Sequence, residues 1–449
     1  MRRSCILFLI ASLLVVACER STETTFTPEI KPPKIAKSSK ISISDAIKVA
    51  MEGVSMLDDA KTRAQMRVVD PNKTETYVRP ATRSGEADTL FYVINFADSA
   101  GFAIIAADSA ASPQLLAVAE SGNYSPNEVG GNDDPWEGWI EDTKGPIRDE
   151  NGIIIGYPSP FPNPNDPDPL PDFPPFVPDT TITYSDWVTV GPYLEVKWGQ
   201  EDPYNTYCED SDSQICPTGC VATALAQILS HYQYPNEDSD ALPITFPSAT
   251  GRSYPNVGNS LLLNWSELKQ HVVSLDNTSC SCSETNRTNL AILFRELGQL
   301  LDMNYKEEQS DASFGNIINV LTGWGYTCQD HPNYDWDIVR SELDSARLVA
   351  MGGERETGIT DPAHAWVIDG YKTRTKITNI SGKEYTETHN YIHINWGWDG
   401  KGNGYYLSGI FDTDQYIELD EGVNKANSKN YDRYLTMITG IKAPILNQD

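Results

Sequence analysis

Between Tyr157 and Pro178 the chain reads YPSPFPNPNDPDPLPDFPPFVP, with ten prolines in 22 residues. Each proline holds φ at about −65° and removes one backbone donor, so this stretch can form neither a helix nor a central strand. It is expected to be an extended, polyproline-like spacer. Any compact unit must therefore end before it or start after it. In a chain of 449 residues, 39% of them hydrophobic and 22 of them tyrosine, there is enough apolar material for a core on each side. The expected division is a small α+β unit over 41–150, a Pro-rich linker over 151–184 and a larger unit over 185–449.

The chain begins MRRSCILFLIASLLVVACERS. Arg2 and Arg3 precede an apolar run from Cys5 to Ala17, which is short for a membrane span and reads as an export signal. Its end, Val15-Val16-Ala17-Cys18, resembles a bacterial lipoprotein signal over 1–17, in which Cys18 would become the lipidated first residue. Residues 18–40 then read as a polar tether. The expectation is an exported protein, held at the cell envelope through a lipid on Cys18 or secreted after processing. No later segment is apolar enough for long enough to cross a bilayer. The formal net charge of −29 argues against nucleic acid as a partner, because phosphates would be repelled.

In the smaller unit, Ile43, Ile47, Ala50 and Val54 recur at helical spacing behind a cap near Ser44 and Asp45. Leu90–Phe96, Phe102–Ala107 and Leu115–Ala119 follow as strand-like runs. In the larger unit, helical patterns come first: the run opened by Cys220, SELKQHVVSL, and NLAILFRELGQLLDMNY with its stripe of Leu290, Leu293, Phe294, Leu297, Leu300 and Leu301. Beyond Leu348 the pattern changes to aromatic and β-branched runs, HAWVIDGY, NYIHINWGW and GYYLSG, broken by Gly and Asp, which read as antiparallel strands. Helices first and strands later in one unit indicate an α+β class.

The stretch CPTGCVATALAQILSHY carries the first chemical signal. Pro217 and Gly219 disfavour helix between its two cysteines, whereas Val221 to Leu229 is rich in good helix formers. The helix therefore begins at Cys220, whose sulfur would lie at the positive end of the helix dipole, where the thiolate is favoured. Cys216 stays in the preceding loop. A nucleophilic cysteine needs a base. His231 is eleven residues along the same helix, roughly 16 Å away at about 1.5 Å per residue, too far to serve. His271 falls in a helix and His331 in a Pro/Asn loop. His364 lies within an apolar strand run, where it is either a hydrogen-bonded core histidine or a functional one. In THNYIHINW, alternation puts His389, Tyr391, His393 and Asn395 on one face, so His393 is a competitor.

These residues sit in segments that together resemble the streptopain family of papain-like cysteine peptidases, peptidase family C10. The matching segments are VKWGQEDPYN, CPTGCVATALAQILSHYQYP, HAWVIDGY and INWGWDGKGNGYY, in the family's order from Val196 to Tyr406. The earlier YVINFADSAGFAIIAADSAASPQLLAVAESGNY resembles the family's inhibitory propeptide. The Pro-rich spacer and ERETGITDPA ahead of His364 depart from the pattern.

The resemblance implies a papain-like two-lobed fold, a helical lobe and an antiparallel β lobe, preceded by a small α+β propeptide domain. It implies Cys220 as nucleophile, His364 as base, Asn395 as the group that orients the imidazole, Gln200 as an oxyanion donor with the Cys220 amide, and Trp396 as a cover over the Asn–His pair. Each role suits its residue type: a thiolate–imidazolium pair attacks near neutral pH, His returns a proton to the leaving amine, and a neutral amide fixes the ring without adding charge. The Cys-to-His separation of 144 positions lies in the range papain-like enzymes use.

The expectation is thus a zymogen of a cysteine endopeptidase that needs no metal or other cofactor. Its partners are protein or peptide substrates and its own propeptide as an intramolecular inhibitor. Proteolysis between Asp142 and Trp187, outside the proline run, would release the propeptide. Two other classes remain: a surface lipoprotein that binds a partner without catalysis, and an acyl transferase that uses the same Cys-His-Asn set on amines. The cysteines outside the site, Cys208, Cys216, Cys280, Cys282 and Cys328, read as disulfide formers in an exported protein, with Cys208–Cys216 favoured and Cys328 joined to Cys280 or Cys282.

Overall fold

A computed structural model describes residues 40–57, 67–79, 88–124 (apart from 108, 110 and 112), 147–148, 154–156, 180–235, 244–245, 260–261, 264–269, 283–408 (apart from 308, 355–362 and 381) and 433–444. The signal and tether with Cys18, the proline run, Cys280, Cys282 and His271 lie outside these residues.

In chain order the elements are α1 (Ile43–Leu57), β1 (Glu75–Arg79), β2 (Asp88–Asn95), β3 (Phe102–Ala106), β4 (Leu115–Ala119), β5 (Ile147–Arg148), β6 (Ile154–Gly156), β7 (Thr180–Tyr184) and β8 (Val188–Val190). There follow α2 (Cys220–Tyr232), β9 (Ile244–Thr245), β10 (Ser260–Leu261), α3 (Trp265–Leu268), α4 (Glu284–Leu300), α5 (Asn316–Gly323), β11 (Thr327–His331) and α6 (Trp336–Asp344). The last strands are β12 (Val349–Glu354), β13 (Ala363–Ile380), β14 (Lys383–Asn395), β15 (Gly404–Leu407) and β16 (Arg433–Lys442). The α+β class expected from the sequence is present as helices packed on an antiparallel sheet.

That sheet runs in the order β1-β2-β3-β4-β15-β14-β13-β12-β16-β11, with β7 and β8 also paired to β13. The 18-residue β13 makes this branching possible: residues 363–368 pair with β12, and its later residues pair with β8 and β7 on the same side. Strands of the N-terminal unit and of the larger unit belong to one sheet, joined where Gly404, Tyr405 and Tyr406 of β15 pair with Ala119, Val118 and Ala117 of β4.

Strand periodicity explains how the sheet is covered. Successive side chains face opposite sides. Ala350, Ala365, Val367 and Ile438 join a cluster with α2, α4 and α5, while Met351, Trp366, Ile368 and Met437 join another with Val339 and Leu343 of α6. With both faces buried, the run AWVI is apolar throughout rather than alternating. On the N-terminal strands, α1 covers one face through Ala46, Ala50, Val54 and Met56, and Tyr391 and Tyr405 enter the same cluster.

The helix termini refine the sequence reading. α1 starts at Ile43, not behind Ser44: Ser42 Oγ accepts from the Asp45 amide (3.2 Å) and donates to the Asp45 carboxylate (2.7 Å), a reciprocal cap. Ser283 Oγ caps α4 by accepting from the Asn286 amide at 3.1 Å, and Asp335 caps α6 by accepting from the amides of Asp337 and Ile338. His331, expected in a loop, instead closes β11. Of SELKQHVVSL, the helix α3 covers only the beginning within the described residues. No helix among the described residues is long and apolar enough to cross a membrane.

Candidate active site

Cys220 is the first residue of α2. The helix cannot be extended backward, because Gly219 has φ +86° and a Cβ there would lie 2.7 Å from the Met303 sulfur and its methyl. No acidic residue occupies the first turn, so nothing there offsets the positive end of the dipole at Cys220. Thr223 Oγ1 returns to the Gly219 carbonyl at 3.1 Å and fixes the turn from inside. Every residue from Val221 to Ser230 is buried, which anchors the helix in the core, while Cys220 itself is only partly covered. α2 packs directly on β13.

β13 brings in His364 as its second residue. The imidazole is buried in an aromatic setting: ring centroids lie 4.7 Å away for Trp398, 6.0 Å for Trp396 and 6.1 Å for Trp366, all three near-parallel to it. Its Nε2 lies 3.0 Å from the Trp396 carbonyl and donates to it. Burial disfavours the cation, and although the carbonyl contact pulls the other way, His364 is depressed to about 4. The ring is therefore neutral at physiological pH in this form. Trp398, which the sequence reading passed over, stacks more closely on His364 than Trp396 does; its signal was the second tryptophan of INWGW.

Asn395 ends β14, and its amide makes two hydrogen bonds, neither of them to His364. Nδ2 donates to the Val196 carbonyl at 2.9 Å and Oδ1 accepts from the Gly397 amide at 3.2 Å. It is thereby held between the segment leading to Gln200 and the turn that carries Trp398. The Gln200 carbonyl accepts from the Thr218 amide at 2.9 Å, which places the backbone at Gln200 beside the loop that ends in Cys220. A cavity of about 330 Å³ lies next to Trp398, between Ser99, Phe102, Gly122 and Asn123 of the N-terminal unit and Lys401 and Gly402 of the larger one.

The expected Cys208–Cys216 disulfide is not formed: both are buried thiols. They flank the bridge Glu209↔Ile215, where the Cys216 amide donates to the Cys208 carbonyl at 2.7 Å, so backbone hydrogen bonds already close the acidic loop. The Cys216 thiol donates to the Gln214 carbonyl at 3.4 Å, and burial with nearby Asp210 pushes its pKa up. Cys216 is thus protonated and unreactive beside its neighbour at the helix start.

His393 is committed elsewhere. Its Nδ1 lies 2.5 Å from Asp369 Oδ1, and its Nε2 lies 3.3 Å from Glu120 of the N-terminal unit. The other oxygen of Glu120 accepts from Lys197 Nζ at 2.6 Å. Burial alone would depress His393, but the Asp369 and Glu120 carboxylates outweigh it and raise the pKa to about 9. Burial would raise Glu120, and His393 and Lys197 hold it well below the usual carboxylate range instead. This four-group network joins the two units. Sequence reading missed it because Glu120, Lys197, Asp369 and His393 come from four distant segments.

Two families account for most of this layout. Residues 198–406 match the Peptidase C10 family and residues 38–138 match the Spi protease inhibitor. The chain is 25% identical over 341 residues to the thiol protease/hemagglutinin PrtT of Porphyromonas gingivalis, covering 72% of this chain and 34% of that protein. It is 25% identical over 237 residues to streptopain of Streptococcus pyogenes, covering 47% and 53%. The chain thus spans only about a third to a half of the length of these curated relatives. Among solved structures it is similar to a fragment of Prevotella intermedia prointerpain A (23% identity, 83% of this chain and 100% of that one, TM-score 0.45). It is also similar to active interpain A from the same organism (26% identity, 56% and 94%, TM-score 0.37). Residues 198–406 are thus similar to the streptopain-like Peptidase C10 family, and residues 38–138 ahead of them to the Spi protease inhibitor.

Proposed function

We propose that the chain is the zymogen of an exported cysteine endopeptidase of papain-like, two-lobed architecture, with Cys220 as nucleophile and His364 as general base. The observation that carries this reading is the packing of α2 on β13: the helix that starts at Cys220 lies against the strand that starts one residue before His364. The family match over both residues supports it.

In the mature enzyme the Cys220 sulfur gives its proton to His364, and the thiolate attacks the substrate carbonyl carbon. The Cys220 amide and the Gln200 side chain hydrogen-bond the resulting oxyanion. His364 then protonates the departing amine, leaving an acyl-enzyme, and activates the water that hydrolyses it. Asn395 and Trp396 hold the imidazole in place and shield it. The neutral His364, directed at the Trp396 carbonyl, suits a resting form in which the thiolate–imidazolium pair has not been made. Proteolysis between Asp142 and Trp187, carried out by the enzyme itself, releases the propeptide domain.

Casein digestion under reducing conditions, with and without a thiol alkylator, tests the reading. Cys220→Ala is expected to abolish both digestion and self-processing, and Cys216→Ala to retain both. Normal digestion by the Cys220→Ala protein would overturn the assignment.

A further inference from the structure

The propeptide domain is joined to the larger unit by backbone hydrogen bonds as well as by shared apolar clusters. β4 adds to the edge of β15, the Glu120 amide donates to the Asn403 carbonyl at 2.7 Å, and the Gly402 amide donates to the Ser121 carbonyl at 3.2 Å. Tyr391 reaches across to donate its hydroxyl to the Leu115 carbonyl at 2.9 Å. Gly404 lets the strand approach: a Cβ there would stand 2.2 Å from the Val118 carbonyl oxygen. None of these contacts depends on the identity of the strand's side chains. One contact does. The Glu120 carboxylate enters the socket between Lys197 and His393, and Asp369 balances only one of those two cations.

When the propeptide domain leaves, the β15 edge loses its partner, and Lys197 and His393 lose the carboxylate between them. The remaining surface has open backbone donors and acceptors, two tyrosine rings that α1 and β4 had covered, and a surplus cation in a chain of net charge −29. A strand edge of this kind takes an extended peptide through main-chain hydrogen bonds and selects it through one side-chain pocket. We propose that in the matured enzyme the β15 edge with Lys197 and His393 is an exosite. It binds extended segments of protein substrates that carry a glutamate or aspartate at the position Glu120 holds in the zymogen. The proposal rests on the zymogen reading above. Gly400 and Gly402, which meet the residues after Glu120, belong to the same turn as Trp398 against His364, so a segment seated here is led toward the reacting centre.

The test uses matured enzyme with Cys220 alkylated, so that binding is read without digestion. A labelled peptide with the sequence of residues 114–123 and its Glu120→Gln counterpart are compared by fluorescence anisotropy. The acidic peptide is expected to bind about thirtyfold more tightly, the size of losing both charge-assisted contacts of the carboxylate. Lys197→Gln is expected to narrow the difference, leaving the part carried by His393, and Lys197→Arg to keep it whole. In active enzyme, a cleavable protein carrying the acidic strand on a flexible linker is expected to show a KM about thirtyfold lower than its Gln version at equal kcat, by the same principle. Equal binding of the two peptides, no binding of either, a preference left undiminished by Lys197→Gln, or equal KM values for the two fusions would each overturn the exosite. Casein digestion would still stand, and failure of that digestion would instead remove the peptidase reading.

Discussion

Replacing Glu120 by Gln keeps the shape of the residue and removes its charge, so it isolates the electrostatic tie between the propeptide domain and the catalytic unit. The Lys197 contact is short, 2.6 Å, but the lysine side chain is 53% exposed, and such pairs contribute about 0–1 kcal/mol. The His393 contact is buried on the histidine side but longer, 3.3 Å, and His393 keeps Asp369 at 2.5 Å when Glu120 is neutralised. A hydrogen bond between charged groups contributes about 1.5–3 kcal/mol, and this geometry argues for the lower end. Together the two contacts amount to about 2 kcal/mol, or roughly a thirtyfold shift toward the undocked form. Amide hydrogen exchange on the Cys220→Ala protein, in which the proposed self-processing would be blocked, reads this directly. Peptides covering Leu115–Ala119 and Gly404–Leu407 should exchange about thirtyfold faster in the Glu120→Gln protein, while those covering Ala350 and Val367 should not change. Unchanged exchange at β4 and β15 would refute the reasoning, and so would equal acceleration in both regions. The pH dependence has a definite sign. Because His393 is raised from the ordinary 6.5 to about 9, its contribution is complete only below about 6.5, declines as pH rises from there, and is lost through 9. Because Glu120 is held below its usual range, its contribution survives acidification well past the point where an ordinary carboxylate protonates. Docking should therefore be tightest from about pH 5 to 6.5 and loosen progressively as pH rises toward 9.

Two further outcomes follow from the site. In the Cys220→Ala zymogen, the His364 imidazole resonance should stay that of the neutral ring until pH falls to about 4, because burial opposes the cation. Between an ordinary histidine pKa and that value the unfolded chain binds the extra proton, so this group favours folding less as pH falls; titration near 6.5 would contradict the burial argument. Gly219→Ala should cost about 1–2 kcal/mol from its positive φ alone, with the Met303 contact adding to it, and should slow alkylation of Cys220 in the matured enzyme. Wild-type thiol reactivity in that variant would mean that the helix start does not depend on the glycine.

Much of this was legible in the residues. The helix at Cys220 was readable because Pro217, Gly219 and the Ala/Leu series are local signals, and β4 was placed at Leu115–Ala119 because turn residues bound it. The late strands were readable by composition. α6 and β12 were not singled out: α6 is a short, charged helix whose apolar side is mainly Val339 and Leu343, and β12 contains two glycines. The start of α1 was placed slightly late because Ser44 and Asp45 look like a cap until the Ser42–Asp45 exchange is seen. The Cys208–Cys216 disulfide failed as an expectation because cysteine parity says nothing of whether backbone hydrogen bonds already close the loop. The Glu120–His393–Asp369–Lys197 network was beyond reach of any local pattern, since only the joining of β4 to β15 brings its members together.

The setting of α2 has a consequence for how such an enzyme would fail. A helix buried on all sides from Val221 to Ser230 cannot fray or detach while the core stays intact. The thiol at its first residue is therefore mounted on the part of the molecule with the slowest opening, not on a mobile loop. Heat inactivation should then track global unfolding: residual activity and the loss of core amide protection should share one rate, and no inactive form with a native core should accumulate.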